Sequence, residues 1–360
     1  MKTKKVEFLY LQQEDCIKAG GLDMGQTVKA VERAFFLHGK NDYIQPPKPV
    51  IRWGGPETEE TTGRIMSMPS YLGGKYHADE LEKRDLPGPV NTAGIKFIPS
   101  RPDNPKKHNL PRSNGIIIIT DSETLMPACI MDGTLVSAMR TGAASGVAAK
   151  YLANPDSKVL GIIGTSVQGI TQTLAVNESM KELKLCRIYD INSDAVDKFL
   201  NKMGELDCRL EFEVAESHEQ AVRDSDIVCT ATIAREPYIK AEWYKEGVLH
   251  CEVSFWDTPP EALKKMDFIV VDDWDQVKHH GVDVSWRAVR DKVISEEKIR
   301  GNLGEIITGK KPGRKSRKER ILFNPIGMGI HDLSEAFRIF KNAEAAGIGR
   351  KLPLWEEPCL

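Results

Sequence analysis

Residues 158–169 read KVLGIIGTSVQG, and after a helix-like interval residues 185–192 read LCRIYDIN. An apolar run, 159–163, stops at a glycine-rich turn; a second run, 186–189, ends in Asp190, 21 residues beyond Gly169. This is the strand–turn–helix–strand order of a dinucleotide-binding unit. Gly164 permits the tight turn and Gly169 lets helix and strand approach closely. The first N–H groups of the helix face a pyrophosphate, and the acid accepts the ribose hydroxyls. Ser166 stands where the fingerprint has its middle glycine, and an ordinary βαβ turn with no ligand has the same local pattern. An acid at 190 repels a 2′-phosphate, so the pattern selects NAD over NADP.

The chain has 360 residues, more than one core usually fills, so two domains are expected. Its formal net charge of −2 gives no global reason to expect nucleic acid or an anionic membrane as partner. The seven cysteines, at 16, 129, 186, 208, 229, 251 and 359, are odd in number, dispersed and without a CxxC pair. That is the usage of reduced thiols, not of a disulfide framework or a zinc site. The start, MKTKKVEFLYLQQED, is broken by acids before any long apolar region, and no stretch approaches 18 uninterrupted apolar residues. A soluble, cytoplasmic protein is expected.

Either side of the fingerprint the pattern differs. Residues 7–11 read as an edge strand, 24–37 as a helix capped by Asp23, and 49–53, 64–68, 93–98 and 115–120 as strands, the last paired with 125–131 in a hairpin. Consecutive strands favour an antiparallel sheet. Residues 77–90 read as an exposed polar loop. Residues 135–152, LVSAMRTGAASGVAAKYL, form a helix rich in Ala, Gly and Ser, suited to close backbone approach and to crossing between domains. From 158 to 271 strands alternate with helices, the signature of a parallel sheet covered on both faces. The expected architecture is therefore α/β. The last helix, 332–346, is placed back on the antiparallel sheet of the first part.

Several side chains carry chemistry, each with a plainer reading beside it. Arg52, Lys96 and Arg140 interrupt apolar or strand-like surroundings, and a buried cation requires an anionic partner. That partner is either an amino-acid carboxylate, which arginine grips with two parallel hydrogen bonds, or an internal acid. Thr230 and Thr232 close a buried strand (226–232) expected along the dinucleotide crevice, or reflect only β-propensity. Asp257, in SFWDTPP, follows a strand and is placed either as a general base or as a turn-forming residue. Asp272, Asp273, Asp275, His279 and His280 lack metal-ligand spacing and read as a solvated strand end with a helix cap; no metal is expected. Residues 310–320, KKPGRKSRKER, carry seven cations and one acid, and without interleaved aromatics read as a mobile solvent loop.

The segments MPS (68–70), AGIKFIPSRPDN (93–104), SAMRTGAASGVAAKYLA (137–153), IIGTSVQG (162–169) and RIYDIN (187–192) resemble the ornithine cyclodeaminase/μ-crystallin family. The likeness runs in consistent order over nearly the whole chain. Within the family, QPPKPVIR (45–52), RIMSMPSYLGG (64–74), DNPKKHNLPRSNGIIII (103–119), VVDDW (270–274) and LFNPIGMGIHD (322–332) are similar to the dehydrogenases of N-(2-amino-2-carboxyethyl)-L-glutamate in 2,3-diaminopropionate and siderophore biosynthesis. The resemblance implies a homodimer, with a Rossmann-type nucleotide domain (140–320) inserted in an antiparallel-sheet substrate-binding and dimerisation domain (1–139 plus 321–360). It assigns Lys96 and Arg140, with Arg52, to the substrate carboxylate, and Lys96 and Asp257 to catalysis. It places Thr141, Gly164, Gln168, Asp190, Thr230 and Ser254 around NAD, beside Ser166 and Gly169 of the fingerprint and Thr232 at the strand end. Three departures stand out: Ser166, one extra residue before Asp257 relative to true cyclodeaminases, and a longer 77–90 loop.

The family chemistry begins with hydride leaving the Cα of an amino acid for the nicotinamide, with the cations orienting Cα–H and Asp257 moving the amine proton. The aminocarboxyethyl-glutamate conjugate carries three carboxylates, which would match Arg52, Lys96, Arg140 and Lys48; ornithine would leave most of that charge unmatched. Ornithine cyclodeaminase, another amino-acid or imine dehydrogenase, and a non-catalytic μ-crystallin-like binder of nucleotide and small ligand use the same groups.

Overall fold

The structure, a computed structural model, describes residues 5–54 and 62–357; residues 1–4 and Cys359, included in the reading above, lie outside the described residues. Strands β1 (Val6–Leu11), β2 (Tyr43–Ile44), β3 (Val50–Trp53), β4 (Gly63–Leu72), β5 (Thr92–Ser100), β6 (Ile116–Thr120) and β7 (Pro127–Asp132) come first. They are followed by β8 (Val159–Ile163), β9 (Leu185–Tyr189), β10 (Glu211–Val214), β11 (Ile227–Thr230), β12 (Leu249–Glu252), β13 (Phe268–Val271), β14 (Ile299–Asn302), β15 (Ile321–Phe323) and β16 (Arg350–Trp355). The chain divides into two compact units. Met1–Asp23, Asn41–Arg140 and Met328–Leu360 form the first; Met24–Lys40 and Thr141–Gly327 form the second.

The first unit is one sheet in the order β16-β1-β7-β6-β5-β4-β2, with β3 also on β4. Its pairs are antiparallel except β1 on β7, which is parallel. Alternation decides its faces: Ile117 and Ile119 are buried while Ile116 is exposed. The helix Gly329–Ala346 lies against β4, β5 and β6, burying Ile330, Leu333, Ala336, Ile339 and Ala343 at helical spacing. Each large apolar side chain so buried contributes roughly 1.5–3 kcal/mol. Gly94 makes the close approach possible, because a Cβ there would stand 2.8 Å from Leu333.

The second unit is an all-parallel sheet, β10-β9-β8-β11-β12-β15-β13-β14. Its central strands β11, β12, β13 and β15 are buried at every residue, as in a sheet covered on both faces; β13 and β15 are wholly apolar, whereas β12 carries His250 and Glu252. The small residues of the helix Thr134–Leu152 serve close packing inside this unit. A Cβ on Gly142 would lie 2.3 Å from the carbonyl of Thr171, and one on Gly146 2.7 Å from that of Ala175, both on the helix Val167–Ser179.

Several expectations are corrected. Strand β1 is not an edge, because β16 pairs with it through the register Glu7↔Pro353; a proline-containing, exposed segment gave no strand signal, yet is tolerated at a sheet edge. Residues 77–90 are not a plain loop: Ala78–Lys83 is helical, and Leu81, Leu86 and Val90 are buried. The segment 310–320 is fastened rather than free. Arg314 donates to the carbonyls of Leu152 (2.7 Å), Gly247 (3.0 Å) and Glu319 (2.5 Å). Asp272 is buried rather than solvated, accepting the N–H of Gly327 at 2.7 Å, while Asp273 does cap the helix Trp274–His280. Two segments divide differently from the expected boundaries. Helix Met24–Lys40 belongs with the second unit, where Gly39 packs on the Gly304 backbone, and β15 lies inside the parallel sheet.

The Gly142 contact yields a prediction. Gly142→Ala forces a methyl group against the Thr171 carbonyl and should cost about 1–3 kcal/mol of stability. A thermal unfolding midpoint unchanged from wild type would contradict this packing.

Candidate active site

In the first unit the sheet and the terminal helix bring together two of the three flagged cations. Lys96, on β5, points to the helix side and is 2% exposed; its Nζ donates to Asp332 Oδ1 at 2.7 Å and to Ser137 Oγ at 3.1 Å. Arg140 donates through Nε to the same Asp332 Oδ1 at 2.9 Å. Both are thus paired with an internal acid, the plainer of the two readings of each. The pairing is incomplete, however: one carboxylate faces two cations, and Asp332 Oδ2 is buried with no hydrogen-bond partner among the described residues. Only Nε of Arg140 is spent on the acid, so its guanidinium end has no partner among the described residues. Burial, then repulsion by Arg140, pushes the Lys96 ammonium down to about 7 against the pull of Asp332, and Lys48 adds to the depression.

Arg52 lies on exposed β3, on the same sheet face as Lys96 but displaced from it. Arg52 pairs with Arg64, whereas Lys96 pairs with Met68, four residues further along β4. The structure therefore does not gather Arg52 with Lys96 and Arg140. It places Arg52 beside Arg64, whose guanidinium is held below its usual range by burial and then by the charges of Arg112 and Arg52. Neither Arg52 nor Arg64 has an acidic partner among the described residues. Arg64 was not singled out by sequence; it opens a strand and carries no local mark of the arginine across from it.

The nucleotide signature holds its expected geometry in the second unit. Gly164 has φ +93°, and a Cβ on Gly169 would fall 2.1 Å from the Gly164 carbonyl, so both glycines are required by the turn. Ser166 is the N-cap of the helix Val167–Ser179 and makes no side-chain cap, leaving the first N–H groups open to an anion. Asp190 ends β9 and accepts the N–H of Thr165 at 2.8 Å and that of Asn192 at 3.0 Å, fastening the acid to the glycine turn. Gln168 lies in the first turn with its Oε1 buried and without a partner among the described residues. Thr141 contributes its carbonyl to Gln172 at 3.2 Å. These features fit a dinucleotide: open helix N–H groups, a turn with no room for side chains, and an acid at the neighbouring strand end.

Asp257 is 1% exposed and its carboxylate is fully engaged: Thr232 donates to Oδ1 at 2.5 Å and Ser254 to Oδ2. The hydroxyls of Thr232 and Ser254, both expected around the cofactor, donate to this acid. Thr230 bonds His250 Nε2 at 3.0 Å, and Tyr244 bonds the other ring nitrogen at 2.8 Å. Burial pushes that imidazole down to about 3, so His250 is neutral. Three further groups went unnoticed in the sequence. Glu252 donates nothing but accepts the N–H of Asp257 at 2.9 Å. His218 stacks between Tyr189 and Tyr238, with ring centroids 4.5 and 4.3 Å away, and is held low by burial. Asp332 was read only as the start of a helix. Glu252 was legible by the logic that flagged Lys96, as a charge inside an apolar strand; His218 had no signal. A cavity of about 780 Å³ in the first unit, between β1 and the terminal helix, contains none of the candidate residues.

Comparison with known proteins places this geometry in context. The model of the ornithine cyclodeaminase/mu-crystallin family matches residues 12–347. The chain is 36% identical over 349 residues to the N-((2S)-2-amino-2-carboxyethyl)-L-glutamate dehydrogenase of Staphylococcus aureus (strain NCTC 8325 / PS 47), covering 97% of this chain and 99% of that one. Among solved structures, the Delta(1)-pyrroline-2-carboxylate reductase of Thermococcus litoralis in complex with NADH and L-proline aligns with a TM-score of 0.82 and 33% identity, over 96% of this chain and 100% of that one. An archaeal alanine dehydrogenase dimer with bound NAD also aligns at 0.82, with 31% identity over 97% and 100% of the two chains.

Sharing of Asp332 by two cations leads to a second prediction. Asp332→Asn leaves Lys96 and Arg140 buried without a counter-ion and should cost about 3–5 kcal/mol at pH 6. The cost should shrink at pH 9, because Lys96, with its ammonium down near 7, has by then given up its proton. Denaturant unfolding at the two pH values checks this; a loss independent of pH would show that Lys96 stays charged throughout.

Proposed function

The chain belongs to the ornithine cyclodeaminase/mu-crystallin family, and from that premise we propose that it oxidatively cleaves N-(2-amino-2-carboxyethyl)-L-glutamate to 2,3-diaminopropionate and 2-oxoglutarate. Its broader chemistry is that of an NAD-dependent amino-acid dehydrogenase acting on a CH–NH bond. The observation that carries the substrate reading is the excess of cation on one sheet face. Lys96 and Arg140 share the single carboxylate of Asp332, and Arg52 and Arg64 stand further along the same face with no acid among the described residues. A substrate with three carboxylates balances such a face; a basic amino acid such as ornithine does not.

In this mechanism NAD, held at the glycine turn and Asp190, supplies the hydride acceptor. Lys96 and Arg140 hold the α-carboxylate of the glutamate moiety, and an approaching carboxylate raises the affinity of Lys96 for its proton. Asp257, oriented by Thr232 and Ser254, accepts the proton of the secondary amine as Cα–H is lost as hydride. Asp257 releases that proton to solvent, then accepts one from the water that adds to the substrate imine and passes it to the departing nitrogen as the C–N bond breaks. One water is consumed and one hydride and one proton leave for each conjugate cleaved, so the reaction balances.

The homodimer is part of the same proposal. The sheet face opposite Lys96 leaves Tyr10, Ile51, Trp53, Phe97, Ile116, Leu352 and Leu354 exposed, apolar side chains suited to packing on a second copy. No helix among the described residues is long and apolar enough to cross a membrane. We place the enzyme in the cytoplasm, where NAD and reduced thiols coexist, as the supplier of diaminopropionate for siderophore assembly.

Absorbance of NADH tests the proposal. The conjugate should reduce NAD with release of 2-oxoglutarate, while L-ornithine and L-alanine should be poor. Asp257→Asn should lower kcat about 10²–10⁴-fold with NAD affinity retained. Efficient turnover of alanine or ornithine in place of the conjugate would overturn the substrate assignment, and an active Asp257→Asn would overturn the base.

A further inference from the structure

Asp257 has a second carboxyl group behind it. Glu252 closes β12 and is wholly buried. Its Oε1 accepts the N–H of Asp257 at 2.9 Å and that of Thr258 at 3.2 Å, while Oε2 is buried with no hydrogen-bond partner among the described residues. No lysine or arginine among the described residues pairs with either acid. The groups facing Glu252 are Asp257 on the following loop, Tyr238 and Tyr244, whose phenols are pushed up chiefly by burial, and His250 on its own strand, which is neutral. Asn324 donates only to the backbone carbonyl of Glu252, at 3.1 Å.

Two adjacent buried carboxylates without a cation cannot both hold a charge. Asp257 has a hydroxyl donor on each oxygen and Glu252 has a bare Oε2, so the anion resides on Asp257 and the proton on Glu252. We propose that Glu252 is a positioning residue that stays protonated, clamping the backbone of residues 257–258 and leaving Asp257 as the only anion of the pair. The positioning role rests on the reading of Asp257 as the base; the protonation does not. Burial, then the charge of Asp257, pushes the Glu252 carboxyl up to about 8, in keeping with that geometry.

The linkage has a definite sign. A carboxyl raised from 4.5 to about 8 binds its proton more tightly in the folded state than in the unfolded one. Stability is therefore lost as pH rises from roughly 4.5 to 8 and levels off above. Glu252→Gln, which cannot ionise, should remove that slope from unfolding midpoints measured across the window. It should also delete the protonated-carboxyl carbonyl band from the infrared spectrum of the ligand-free protein at neutral pH. With NAD and N-(2-amino-2-carboxyethyl)-L-glutamate, Glu252→Ala should lower kcat about a hundredfold by releasing the base from its orientation. Glu252→Gln should restore most of that activity and lack the wild-type inflection near 8. An infrared band and pH slope unchanged in Glu252→Gln would overturn the proposal, as would Glu252→Ala with wild-type kcat. An active Asp257→Asn would instead remove the base, leaving the infrared result to decide the protonation; should Glu252→Ala not fold, the Gln variant decides alone.

Discussion

One carboxylate oxygen, Asp332 Oδ1, takes hydrogen bonds from both Lys96 and Arg140, and the first unit is organised around that shortage of negative charge. Ion pairs in the interior are stable when each charge is matched and every lone pair is satisfied. Here the acid is outnumbered and its second oxygen is bare. A protein selected for stability alone would replace such a cluster with apolar packing. In the proposed mechanism an anionic substrate completes the balance when it arrives. On that proposal the internal acid and the substrate carboxylate, alternatives when the residues were read singly, become complementary: Asp332 fixes the cations and leaves them short of one partner.

Much of this was legible because it is written in local rules. The glycine turn, Asp190 and the alternation from 158 to 271 are set by backbone geometry and burial on both sheet faces, which leave marks within a few residues. Lys96 and Arg140 were visible because charge in an apolar run is costly wherever it occurs. What escaped depended on distant partners. Asp332 lies 236 residues from Lys96, so nothing beside it announces its role. Arg64 matters only because register sets it against Arg52. Strand β16 carries a proline and exposed charges, and exists because β1 offers it an edge. Helix Met24–Lys40 was read correctly as a helix, but the carbonyl of Gly304 that Gly39 must clear is not a property of its own sequence.

The hydroxyls of Thr232 and Ser254 show how a correct neighbourhood can hide a different role. Strand ends in a parallel sheet do face the ligand crevice, which is why both were expected on the cofactor. In the structure they terminate on Asp257. A buried carboxylate with no cation needs such donors, and these two positions supply one to each oxygen of Asp257.

The two units solve one problem with opposite signs. In the first, burial and a neighbouring cation bring an ammonium down to about 7. In the second, burial and a neighbouring anion bring a carboxyl up to about 8. Each depends on an under-partnered group being kept dry, and each leaves a proton exchangeable close to neutrality. As pH rises through this interval, Lys96 loses a positive charge and Glu252 gains a negative one, so both steps make the protein less receptive to an anion. Below it, Lys96 is charged and Glu252 neutral. In the proposed mechanism that is the combination that favours holding a carboxylate while Asp257 takes the amine proton. Incomplete pairing is thus common to both clusters, and in the proposed mechanism it ties substrate binding and proton transfer to pH.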